Sequence, residues 1–132
     1  MTKEALKFMS DVMSEMGLTY EFMEFTTKPT YPYFVGEYQE TETASEDGLQ
    51  EATFVLNGFA RDTGEGNTAY MELENAKEKI YDRFGKVGGD TVITAKGAAI
   101  AVFYSNALIV PTDDAELKRI QINLKIKEWR VK

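Results

Sequence analysis

The stretch LKRIQINLKIKEWRV, residues 117–131, decides the fold. Ile120, Ile122, Leu124 and Ile126 take alternate positions, and Arg119, Gln121, Asn123, Lys125 and Lys127 fill the positions between them. A period of two marks a strand with one face on a core and the other toward water. This strand is long enough to stand at the centre or the edge of a sheet.

Upstream, residues 98–110 (AAIAVFYSNALIV) are apolar except at Ser105-Asn106, which reads as a turn between two short, largely buried strands. Pro111 to Asp114 then forms a turn. The glycine-rich 85–97 segment reads as a loop or hairpin around a short VIT strand. Residues 51–61 read as a strand with Phe54, Leu56, Gly58 and Ala60 on one side and Val55, Asn57 and Phe59 on the other. Residues 33–40 and the aromatic run 19–26 supply further strands, divided by Pro29 and Pro32. Asp47-Gly48 signals a hairpin turn, because glycine accepts positive φ at little cost.

Two segments have helical period. In residues 2–16, Ala5, Leu6, Phe8, Met9, Val12, Met13 and Met16 make one stripe, with Thr2 as N-cap and Gly17 as stop. The Met-rich stripe reads as core. From Thr68 to Phe84, Leu73, Ala76, Ile80 and Phe84 make another, joined by Ala69 and Tyr70; Asn67 or Thr68 caps it and Gly85 ends it. The order α-β-β-β-α-β-β, with room for one more strand, predicts a single α+β domain over residues 1–132. Two helices pack on one face of a mainly antiparallel sheet, and a β-hairpin arm protrudes.

Composition narrows the function. The chain of 132 residues is 43% hydrophobic and 28% charged, with no cysteine and no histidine. Disulfides, thiolate metal sites, cysteine nucleophiles and Ser-His-Asp chemistry are thereby excluded. Any catalysis would rest on carboxylates, Lys, Tyr, Ser or Thr, so the expectation is a non-enzyme without cofactor or metal. No apolar run spans a bilayer, and MTKEALKFMSDVMSEM lacks the apolar core of a signal peptide; a cytoplasmic protein is expected.

Charge is unevenly placed. Residues 1–66 carry four basic and thirteen acidic side chains, a net −9, whereas residues 67–132 carry eleven basic and nine acidic, a net +2. An acidic molecule is a poor general ligand for nucleic acid. Opposite signs on two parts of one molecule suit head-to-tail self-association, and two ordinary solvated faces would read the same way.

The acidic side is concentrated in EYQETETASEDGLQEA, residues 37–52, with Glu37, Glu40, Glu42, Glu46, Asp47 and Glu51. No Lys or Arg occurs from Pro29 to Ala60. The D-x-[DN]-x-[DN]-G spacing of a calcium loop is missing, and an exposed hairpin gives no cleft to separate two carboxylate pKa values. Solvation and docking are the readings left. Arg119, Lys125 and Lys127 on the last strand are the matching basic set. They could pair with the acidic stretch of the same subunit or of a neighbour. Trp129, on their face, fits the edge of the core and an interface anchor equally well.

The run VGEY…DGxQE…LxGF, here Val35–Tyr38, Asp47–Glu51 and Leu56–Phe59, together with the element order and length, resembles the tail terminator and tail-completion proteins of long-tailed phages and prophages. The resemblance covers nearly the whole chain. It implies a structural protein without an active site, made in the host cytoplasm and built into the virion neck. Such proteins form a hexameric ring that caps the tail tube, meets the head connector proteins and lets DNA pass without sequence recognition. It also implies that the hairpin Tyr38–Glu51 serves as an inter-subunit or neck-facing arm. The competing reading is a small acidic binding module, immunity- or antitoxin-like, that covers a basic partner.

Overall fold

A computed structural model describes residues 1–24, 30–42, 48–62, 68–86, 89–94 and 97–129. Its elements are α1 (Lys3–Glu15), β1 (Tyr20–Phe22), β2 (Tyr33–Glu42), β3 (Leu49–Arg61), α2 (Thr68–Phe84), β4 (Asp90–Ile93), β5 (Ala99–Val110) and β6 (Leu117–Trp129). The six strands form one sheet in the order β1-β2-β3-β6-β5-β4. Every pairing is antiparallel except β1 on β2. The expected α+β fold, with both helices on one face, is the fold observed.

The alternating strand at the C-terminal end is central. β6 pairs with β3 over its whole length, from Leu49↔Trp129 to Arg61↔Leu117, and with β5 on its other side. Ile120, Ile122, Leu124 and Ile126 are buried against the helices. From β3, Ala52, Phe54, Leu56 and Ala60 join them, and α1 and α2 contribute Ala5, Met9, Val12, Met13, Ala69, Leu73, Ile80 and Phe84. The methionine stripe of α1 is therefore core.

Helix ends follow local chemistry. The Thr2 hydroxyl accepts from the Ala5 N–H at 3.1 Å, and Gly17 ends α1 with φ +74°, the left-handed conformation that costs glycine little. The first turn of α2 has a partner that the linear sequence does not advertise: the Asp62 carboxylate accepts from the Ala69 N–H at 3.0 Å. Arg83 ties the two helices to the outer strand, donating to Glu15 at 3.0 Å and Asp90 at 2.7 Å.

The two glycines of VGEY and LNGF have a packing reason. In the β2–β3 register Phe34 faces Gly58. A Cβ on Gly58 would lie 2.4 Å from the Phe34 ring, and a Cβ on Gly36 would lie 2.6 Å from Phe54 and 2.7 Å from Tyr20. Each glycine thus leaves room for an aromatic ring on the core face.

Two expectations change. Ala99–Val110 form one strand, and Ser105-Asn106 is a register irregularity within it, between Tyr104 and Asn106, rather than a turn. Of residues 19–26, the described 19–24 contain the short β1, which ends where Met23 takes φ +70°; residues 25 and 26 lie outside the described residues. The β2–β3 hairpin is present, but its sides belong to the sheet: β6 accompanies β3 as far as Leu49↔Trp129. Its tip, including Glu46 and Asp47, lies outside the described residues, as does Asn67.

Burial raises the pKa of the Tyr20 phenol well above its usual value of 10. The folded chain keeps this group neutral where the unfolded chain ionises it. Stability is therefore unaffected below about pH 10 and falls as pH rises above that. Tyr20→Phe is expected to flatten this alkaline decline, measured by urea midpoints between pH 8 and 11. An unchanged slope would assign the decline to other groups.

Candidate functional site

The helices leave the opposite face of the sheet open, and the basic candidate residues lie on it. On β6 it carries Arg119, Gln121, Asn123, Lys125, Lys127 and Trp129; on β3, Glu51, Thr53, Val55, Asn57 and Phe59. Successive residues of a strand point to opposite faces, and the core-facing set just described fixes which is which.

At one end of this face the acidic and basic candidates meet within the chain. Glu51 lies opposite Lys127 in the ladder, and its carboxylate is 3.6 Å from both Lys127 Nζ and Lys125 Nζ. Of the two pairings left open by the sequence, the one within the subunit is present at Glu51. The antiparallel register brings in lysines some seventy-five positions away, which no inspection of 37–52 alone could find. Lys127 also lies over the Phe103 ring, 5.7 Å from its centroid. Glu51, Lys125, Thr41, Thr53 and Ser105 line a shallow depression of about 380 Å³.

The middle of the face is a chain of amides. Gln121 Nε2 donates to Asn123 Oδ1 at 3.1 Å, and Asn123 Nδ2 donates to Asn106 Oδ1 at 2.7 Å. At the far end is an aromatic and cationic cluster. Arg119 Nη2 donates to Asn57 Oδ1 at 2.7 Å, and its guanidinium lies over Phe59, 5.6 Å from the centroid. Phe59 stacks on Tyr33 at 5.1 Å, and Tyr33 touches Tyr31 at 5.2 Å. Arg61 lies over Tyr31 and pairs with Asp114 at 2.9 Å. The Glu116 backbone N–H, and then Arg61, hold the Asp114 carboxyl below its usual range. Burial and then the neighbouring Tyr31 raise the Tyr33 phenol, with Arg61 opposing them.

The remaining candidates are dispersed. Glu37 is exposed on β2. Glu40 points to the helix side, where it accepts from the Met1 amino group at 2.8 Å. Glu42 pairs with Glu51 through the backbone. Trp129 is half-buried at the end of β6, between Leu49 and Ala99. Among the described side chains, Glu37, Glu40 and Glu51 therefore do not converge. Among the described residues, no group of three Asp or Glu side chains is arranged to hold a metal ion, and no helix is long and apolar enough to cross a membrane.

Glu128 is the residue whose role sequence reading missed. It stands on the core face in line with the isoleucines and is 3% exposed. Its carboxylate accepts from the Thr2 N–H at 3.3 Å and from the Thr2 hydroxyl, which pins the start of α1 to the end of β6. Its place in the alternating pattern was the available signal, since a carboxylate at a core position needs a donor. Taken together, the open face offers amides, hydroxyls, cations and partly covered rings: groups suited to docking a polar surface. Searches of protein-family models and of curated proteins find no match to this chain.

Proposed function

We propose that this chain is a structural tail terminator or tail-completion protein of a long-tailed phage or prophage. In this reading it acts without catalysis or cofactor. It assembles as a closed heterologous ring, six-membered by the resemblance, that caps the tail tube and joins it to the head connector. It would be made in the host cytoplasm and carried in the virion neck, with DNA passing through the ring.

One observation carries the reading. The VGEY and LNGF segments that mark the resemblance pair directly with each other, Gly36↔Leu56 and Val35↔Asn57, in a hairpin whose second strand lies beside the central β6. The motif thus serves architecture, as a structural protein requires. The charge split supports the same reading, because head-to-tail contacts place unlike surfaces together.

Glu37 is the acidic side chain on which to test the docking of the acidic edge, since Glu40 holds the Met1 amino group and Glu51 sits between two lysines. Glu37→Lys is expected to weaken self-association by about 0.5–1 kcal/mol per contact, more at low salt, without altering the monomer's thermal midpoint. A sizing column run at several salt concentrations reads this directly. Unchanged assembly would remove Glu37 from the contact.

A further inference from the structure

We infer that the subunits join edge to edge, with the free edge of β5 in one copy pairing antiparallel with the free edge of β2 in the next. The inference rests on the ring reading and names its contact.

Besides the outer edges of the short strands β1 and β4, two longer stretches of edge have no strand beside them among the described residues. β4 covers β5 only over Ala99–Val102, which leaves Phe103–Val110 open. β1 covers β2 only over Phe34–Gly36, and beyond it Glu37 and Gln39 are exposed. A bare edge presents unpaired N–H and C=O groups, which another extended backbone satisfies. The two edges differ in how they are guarded. β2 carries Glu37 and Glu40, the usual charged protection. β5 has none: residues 97–112 contain no charged side chain, and Leu108 and Ile109 are 46% and 44% exposed. β5 is thus built to be covered.

Four features select β2 of a second copy as the cover. The first is direction. β2, β3, β6 and β5 alternate in direction across the sheet, so in a ring of like-oriented subunits the neighbour's β2 runs antiparallel to β5. The second is outline. β4 occupies one end of its edge and β1 the opposite end of the other, since Val110 is level with Tyr33 through Arg119 and Phe59. The two stepped edges interlock when the neighbour shifts along the strands by about four residues, roughly 13 Å. Such a stagger is what tilted strands in a closed ring require.

The third feature is the alternation of faces. With Glu37 opposite Val110, Gln39 meets Leu108 on the open face, and Tyr38 meets Ile109 on the helix side, an aromatic and β-branched pair of the favourable kind. The fourth is charge. With Glu37 opposite Val110, its carboxylate arrives on the same face as Arg119, the ladder partner of Val110.

The absence of cysteine makes the test direct. The double variant Gln39→Cys/Leu108→Cys, mildly oxidised, is expected to give a ladder of covalent multimers on a non-reducing gel, while each single variant stays monomeric. Rings seen by microscopy without a ladder would overturn the edge pairing and leave the ring reading standing. Neither rings nor ladder would overturn both. A Leu108→Cys dimer as abundant as the double variant's products would show a two-fold contact and overturn the inference. Separately, Leu108→Lys places a charge on the bare edge. It is expected to raise the protein concentration needed for assembly at least about tenfold, with the thermal midpoint unchanged. Assembly at the parent's concentration would contradict the proposal.

Discussion

Gly58→Ala is expected to destabilise the chain by about 1–3 kcal/mol, near the upper end of that range. In an ordinary strand the same change would stabilise, because alanine has less freedom to lose on folding. The neighbours reverse the sign here. The new Cβ would lie 2.4 Å from one Phe34 ring carbon, 2.9 Å from another and 3.0 Å from the Ile120 Cγ2 methyl. Phe34 is fully buried and has nowhere to retreat without displacing core. A loss of about 2 kcal/mol in a domain of this size corresponds to a Tm lower by roughly 5–10 °C. The mechanism predicts coupling. Phe34→Leu should cost less in the Gly58→Ala background than alone, with an interaction energy of at least about 0.5 kcal/mol. Purely additive effects in urea unfolding would show that the glycine is not there to admit the ring.

Removing Glu128 should cost a similar amount for a different reason. Glu128→Ala strips a carboxylate that is almost completely buried and leaves the Thr2 N–H and hydroxyl without their acceptor. Losing hydrogen bonds to a charged group and stranding their donors costs about 2–3 kcal/mol. Thr2 is also the N-cap of α1, so the loss should concentrate there. Amide exchange across Lys3–Met9 should accelerate more than exchange in α2. Glu128→Gln keeps an acceptor in place and is expected to recover about half of the loss. Uniform acceleration over both helices would indicate a general effect on the core instead.

These two residues mark the limits of sequence reading in this chain. The alternation of Ile120 to Ile126 and the stripe from Ala69 to Phe84 are local patterns, and they identified a long strand, at the centre or the edge of the sheet, and a helix with its bounds. Ser105-Asn106 misled because turns and strand irregularities draw on the same small polar residues. Only the ladder with β6 distinguishes them. Asp62 acts on α2 from seven positions away, and Glu51 finds its lysines through a register that no local pattern records. The open face was legible as a basic strand. Its neighbours, which make it a mixed surface of amides and rings, were set by tertiary pairing.

The acidic stretch 37–52 divides by position. Of its described carboxylates, Glu37 lies on the outer strand β2, Glu40 turns to the helix side and Glu51 sits in an internal ion pair. Glu37 stands on the edge that the ring reading brings against a neighbour.

Electron microscopy of negatively stained protein mixed with unterminated tail tubes tests the central claim most directly. The account predicts closed rings seated on one end of each tube, more frequent as protein concentration rises. A protein that stays monomeric at every concentration, with tube ends left bare, would contradict it.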